Sequence, residues 1–234
     1  MRVELELTVN RLNREPEKIV FNAKRMFNAG WVGSDRQALQ HHIDELADVG
    51  VAAPKHIPTL LALGNHLLTH SRHIQVHGPQ TSGEVEWVLL WHHGEILVTV
   101  GSDHTDRKLE SVSVAKSKNM CLNVIARDLW PYEEVKGHFD QLQLYCTVTR
   151  SGTVSLYQED CCGAILPPAY WIEDLHKRLG GLEDGLVLFS GTIGTVEGLV
   201  AGDGYDFQLH DPVLNRTLGH GYTCEVMAGA IETF

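Results

Sequence analysis

The chain has 234 residues, enough to bury a full core as one large domain or two small ones. Its formal net charge is −11, and its 19 Lys and Arg are not clustered along the sequence. Nucleic acid is therefore not an expected partner, because phosphate backbones are held by grouped basic residues. No apolar run is long enough to span a bilayer, and the first residues lack the apolar core of a secretory signal, so the expectation is a soluble cytoplasmic protein with no membrane partner.

Arg2 to Val9 alternates apolar and charged residues as a half-buried strand does. Ile19 to Gly30 reads as a second strand or a short helix, ending on the turn signal Asn28-Ala29-Gly30. The clearest helix is predicted over Asp35 to Val49: Ser34 and Gln37 make a capping-box pattern, Leu39, Ile43 and Leu46 form an apolar stripe, and Gly50 lies past the last turn. His42 and Glu45, three apart, share a face of that helix, which is also where the polar edge of any amphipathic helix falls. Ala52 to His70, with Pro54 and Pro58, reads as a loop entering a strand or short helix.

Thr81 to Arg107 is the stretch with the most chemistry. Apolar runs over Trp87 to Trp91 and Ile96 to Val100 flank His92-His93-Gly94, the pattern of an antiparallel hairpin. Glu84 and Glu86, two apart on a strand, point to one face, and folding about the turn returns Asp103 to the level of Glu84. Carboxylates aimed at one point repel unless a cation or a shared proton neutralises them. An all-oxygen set suits magnesium, manganese or calcium better than zinc. Glu-x-Glu by itself also fits a solvated strand face, so this spacing alone leaves both readings open.

Lys108 to Ala126 is polar and weakly patterned and contains Lys116 and Lys118. Asp140 to Tyr157 is a second hairpin around Ser151-Gly152, and Pro168 to Leu179 is a short helix stopped by Gly180-Gly181. Beyond Gly185, short β runs separated by glycines suit a rolled or sandwiched β domain. Five cysteines, two of them adjacent at Cys161-Cys162, match neither a disulfide framework nor a CxxC metal site and are expected to be reduced and structural. His92, His93 and His104 are expected in turns or core.

In order over roughly residues 30 to 226, these blocks resemble the fumarylacetoacetate hydrolase-like superfamily. His42-Ile43-Asp44-Glu45 looks like its His-x-x-Glu lid helix, Glu84-Val85-Glu86 like its metal motif, and Asp103 in SDHTDR like its third metal ligand. Gly185 to Asp203 resembles its closing Gly-Thr loop, with Gly191-Thr192-Ile193 where Gly-Thr-Pro is usual. The interval from Glu86 to Asp103 lacks the family's helical insertion, which leaves Asp106 as a fallback ligand. Tyr157-Gln158 and the run AKSKN agree more weakly, and either Lys116 or Lys118 matches the active-site lysine, with Lys118 preferred. Within the superfamily the chain is similar to a small branch labelled DUF2848.

The resemblance implies a mixed α/β but mainly β fold, a fumarylacetoacetase-like rolled β-sandwich with a few short helices. Residues 1–30 would be lead-in strands packed on a catalytic domain spanning 31–234. It implies a divalent ion, magnesium first and manganese or calcium next, on Glu84, Glu86 and Asp103. His42 and Glu45 would activate water, Lys118 or Lys116 would stabilise an oxyanion, and Gln158, Gly191 and Thr192 would bind substrate. The implied function is hydrolysis of a carbon-carbon bond in a small keto or diketo acid through a metal-stabilised enolate. The alternatives are a lyase or isomerase of a 2-keto acid on the same site, and a non-catalytic metal-binding β protein. A small-molecule acid and a second copy in a homodimer are the implied partners.

Overall fold

The computed structural model describes residues 3–35 and 56–227. The predicted helix, with His42 and Glu45, lies outside the described residues from position 36 onward. In chain order the strands begin with β1 (Val3–Val9), β2 (Glu17–Ala23), β3 (Arg25–Gly30), β4 (Thr59–Leu63), β5 (Leu68–Thr69) and β6 (His73–Val76). Next come β7 (Thr81–Ser82), β8 (Val85–His92), β9 (Glu95–Asp103), β10 (Thr105–Asp106), β11 (Asn123–Ile125) and β12 (Asp128–Pro131). The last are β13 (Gln143–Arg150), β14 (Thr153–Cys161), β15 (Leu186–Phe189), β16 (Gly204–Asp211) and β17 (Arg216–Val226). Among the described residues four short α-helices accompany them: α1 (Arg107–Glu110), α2 (Val114–Lys118), α3 (Tyr132–Val135) and α4 (Pro168–Leu179).

Ten strands form a large curled sheet with the path β2-β1-β12-β9-β8-β15-β3-β4, to which β11 and β5 are added beside β9. A five-stranded sheet, β14-β13-β16-β17-β6, packs on β8 and β9. This is the mainly β, fumarylacetoacetase-like architecture that the resemblance implies.

Strand β8 explains the layering. Alternate residues point to opposite faces, and both faces here are apolar: Trp87, Leu89 and Trp91 join the core between the two sheets, whereas Val88 and Leu90 join a second core enclosed by the curl of the large sheet. Full burial of each such side chain stabilises by about 1.5–3 kcal/mol. Glu86 has the same parity as Val88 and Leu90, so the carboxylates stand at one end of the curled sheet's interior.

Several sequence expectations are refined. Ile19 to Gly30 is two strands, and Asn28-Ala29-Gly30 is no turn. These residues pair with Leu61, Leu60 and Thr59 of β4, and Asn28 is fully buried. The polar character of Asn28 misled because its partner is a buried carboxylate far off in sequence. Helix α4 matches its predicted span and ends at Gly180, whose φ of +72° is the left-handed conformation that glycine adopts without strain. The β13–β14 hairpin also turns at Ser151-Gly152 as expected. All five cysteines are free.

Candidate metal centre

The hairpin register sets the site. Val85 stands opposite Ser102 and Glu86 opposite Gly101, and the Asp103 amide donates to the Glu84 carbonyl at 3.0 Å. Antiparallel partners put their side chains on one face, so Glu84, Glu86 and Asp103 converge with one carboxylate oxygen from each lying within 4.8 Å of the others. Gly101 is required beside them, since a Cβ there would meet the Val124 carbonyl at 2.8 Å and the Phe189 ring at 2.9 Å.

Each carboxylate is held differently. Glu84, 13% exposed, pairs with the Lys118 ammonium at 2.9 Å and the Arg107 guanidinium at 3.1 Å. Burial pushes its carboxyl up, but the two cations outweigh this and bring it down to about 2. Glu86 has no cation in contact among the described residues. It accepts from Asn28 Nδ2 at 3.2 Å on both oxygens and from the Gly191 amide at 2.8 Å. Burial and then the neighbouring Asp103 charge push its carboxyl well above the carboxylate range. Asp103 accepts from Lys118 through Oδ2, while its Oδ1 is buried with no hydrogen-bond partner. Burial and the Glu84 charge raise it, although Lys118 opposes them. Lys118 stays protonated, because the three carboxylates outweigh the burial that would lower it.

This donor set fits a hard divalent cation. It is all oxygen, it is buried, it holds the Glu86 and Asp103 carboxyls above their ordinary range through burial and mutual repulsion that a cation would relieve, and it presents the orphaned Asp103 Oδ1. Glu84, Glu86 and Asp103 would hold the ion.

The other expected site residues divide. Lys118 reaches the carboxylates, whereas Lys116 is on an exposed face of α2 and contacts none of them. Asp106 does not join the cluster; its carboxylate caps α1 by accepting from the Leu109 amide at 2.9 Å. Gln158 is fully buried. Its Oε1 accepts from the Val85 amide at 2.9 Å, and its Nε2 donates to Thr192 Oγ1 and the Ile193 carbonyl, both at 2.8 Å. The Thr192 hydroxyl in turn donates to the Val85 carbonyl at 2.8 Å. These bonds fasten the Gly191–Ile193 loop to β8 and aim the Gly191 amide at Glu86. His104 sits in the core between Tyr222 and Thr81, as expected.

Three residues escaped the sequence reading. Asn28 was read as a turn residue. Arg107, which also donates to Ser82 at 2.7 Å, closes the SDHTDR segment and could have been noticed as a cation four residues beyond Asp103. Asn123 is the cross-strand partner of Asp103 and is fully buried with neither amide atom hydrogen-bonded. Its signal is a single polar residue inside the apolar run from Cys121 to Ala126.

Residues 29–222 match the family described as "Protein of unknown function (DUF2848)". No curated protein matches the chain. Among solved structures it is similar to 2-keto-3-deoxy-D-arabinonate dehydratase complexed with magnesium and 2,5-dioxopentanoate, at a TM-score of 0.59 and 19% identity over 88% of this chain and 77% of that one. It is similar to yeast ynq8, a fumarylacetoacetate hydrolase family protein, at 0.58 and 17% over 91% and 97%. It is also similar to 5-carboxymethyl-2-hydroxymuconate delta-isomerase from Mycobacterium smegmatis, at 0.59 and 14% over 91% and 86%. At these identities the likeness is one of fold.

Proposed function

We propose an activity on the premise that this chain belongs to the DUF2848 family and has the fumarylacetoacetate hydrolase-like fold. It is a divalent-metal-dependent enzyme that acts on a small keto or diketo acid and cleaves a carbon-carbon bond by hydrolysis. The observation that carries this reading is the buried triad Glu84, Glu86 and Asp103 with Lys118 against it. When bound, a divalent ion supplies a Lewis acid beside the oxygen on which negative charge develops as the acid is cleaved.

The chain's own residues have separable roles. Arg107 keeps Glu84 ionised and fixed. Asn28 and the Gly191 amide orient Glu86. The permanently protonated Lys118 places a second positive charge where it can hold a substrate carboxylate or a developing oxyanion. His42 and Glu45 activate water in this reading, a role that rests on the lid motif of the sequence. The ion is magnesium in this proposal, with manganese or calcium as alternatives, and the working form is a homodimer.

A lyase or isomerase acting on a 2-keto acid is the second reading. Two fold neighbours favour it, one a dehydratase complexed with magnesium and the other an isomerase. Both readings begin with charge developing on the same oxygen, and they part on whether water is placed for attack.

Incubation with a panel of acylpyruvates and 2-keto-3-deoxy sugar acids, with added magnesium or manganese and mass-spectrometric detection, decides between them. Addition of water with cleavage into two acids supports the hydrolase. Loss of water or carbon dioxide, or turnover that survives His42→Ala, moves the chain to the lyase and isomerase class. Metal binding that survives Glu86→Gln, with no turnover on any compound, would leave only a non-catalytic metal-binding protein.

A further inference from the structure

Away from the carboxylates, the chain forms a cleft of about 730 Å³ whose lining includes His70, Arg72, Arg127 and His220. Topology brings these four together from three separate segments. Strands β5 and β11 run parallel, with Leu68 beside Asn123 and Thr69 beside Val124, so the segments that follow them emerge side by side carrying His70, Arg72 and Arg127. Strand β17 adds His220, which is 8% exposed and whose Nε2 lies 3.3 Å from the Ser71 carbonyl. Arg127 lies four residues beyond Asn123, the partner of Asp103.

The cleft carries positive charge without a matching set of anions. Arg11, Arg107, Arg178 and Arg216 each hold a carboxylate. Arg72 and Arg127 form no ion pair among the described residues, although the chain carries a net charge of −11. Asp128 is the one acid of the lining among the described residues, and it accepts from Asn10 Nδ2 at 3.0 Å. The Glu6 carboxylate acts on His70 from outside the lining. Burial and then the Arg127 charge push the His70 imidazole down. Burial, followed by Arg72, His70 and Arg127, does the same to His220 despite the Ser71 carbonyl. Both rings therefore feel an excess of positive charge that an anion would relieve.

We propose that this cleft, with Arg72 and Arg127 as its permanent charges and His70 and His220 in its lining, is a binding site for a phosphate dianion. Two guanidinium groups match a ligand of about −1.5 to −2 charge, whereas a single carboxylate would leave one of them unpaired. The site is independent of the activity proposed above.

Titration calorimetry of the full chain with inorganic phosphate tests it, alongside Arg72→Gln/Arg127→Gln and a charge-matched control, Lys177→Gln/Arg178→Gln, on the exposed face of α4. The expected result is saturable binding that weakens with added sodium chloride, falls at least about tenfold in the cleft variant and persists in the control. Thermal melts of both variants establish that they are folded. No saturable binding to the unmodified chain, undiminished binding in the cleft variant, or equal loss in the control would each overturn the assignment. Tighter binding of glycerol 3-phosphate than of inorganic phosphate would support the site and identify a phosphorylated metabolite as the source, and the reverse order would support it with free phosphate as the ligand.

Discussion

The amide of Asp103 donates to the carbonyl of Glu84 at 3.0 Å, one step beyond the last named pair of the β8–β9 ladder. That bond fixes the third carboxylate relative to the first two without any insertion between them. The site is therefore as rigid as the central hairpin that carries it.

Glu86→Gln and Asp103→Asn each replace one carboxyl of the triad with an amide of nearly the same shape. Loss of an outer-shell partner typically costs 10–100-fold in metal affinity, so loss of a direct ligand is expected to lower magnesium affinity by at least about a hundredfold. Competition against a fluorescent magnesium indicator measures it. Unchanged affinity in both variants would place the ion elsewhere.

Lys118→Met strips Glu84 and Asp103 of a buried partner. Removing one member of a buried pair costs about 3–5 kcal/mol, so the variant in EDTA should melt well below wild type. Magnesium should then restore more stability to the variant than it adds to wild type, because the ion takes over neutralisation. Chemical denaturation with and without magnesium reads both quantities.

Gly191→Ala has two penalties. Its φ of +77° suits glycine, and a Cβ would lie 2.8 Å from Val32 and 2.9 Å from the Ala29 carbonyl. The expected destabilisation is about 1–3 kcal/mol, accompanied by weaker metal binding as the amide shifts off Glu86. A stable variant with unaltered magnesium affinity would remove this loop from the site.

His104 governs a pH dependence. Burial, with Arg107 adding to it, lowers the imidazole from 6.5 to about 3. The unfolded chain therefore binds more protons than the folded one between these values, so the contribution of His104 to stability is complete above pH 6.5 and is lost as pH falls toward about 3. The loss is on the order of 3–5 kcal/mol. His104→Gln should flatten this part of the stability profile relative to wild type, and parallel profiles would show that His104 does not carry it.

Local order was legible in the sequence wherever a side-chain period and a turn signal agreed. The β8–β9 and β13–β14 hairpins, α4 with its Gly180 stop, and the register that returns Asp103 to Glu84 all follow from alternation, glycine and the pleat. That Glu84, Glu86 and Asp103 share one cluster followed from the same register. The choice between Lys118 and Lys116 did not, because two residues apart on a short helix lie on different faces, and only packing decides which face meets the carboxylates. Asn28 was misread for a related reason: its polar side chain is explained by Glu86, 58 positions away. The sequence likewise showed no basic cluster. Arg72 and Arg127 are 55 positions apart, and it is the parallel pairing of β5 with β11 that sets them beside one another. Sequence determines what lies within one period along a strand or helix. Which distant residues share a charge or a hydrogen bond is decided by the sheet that brings them together.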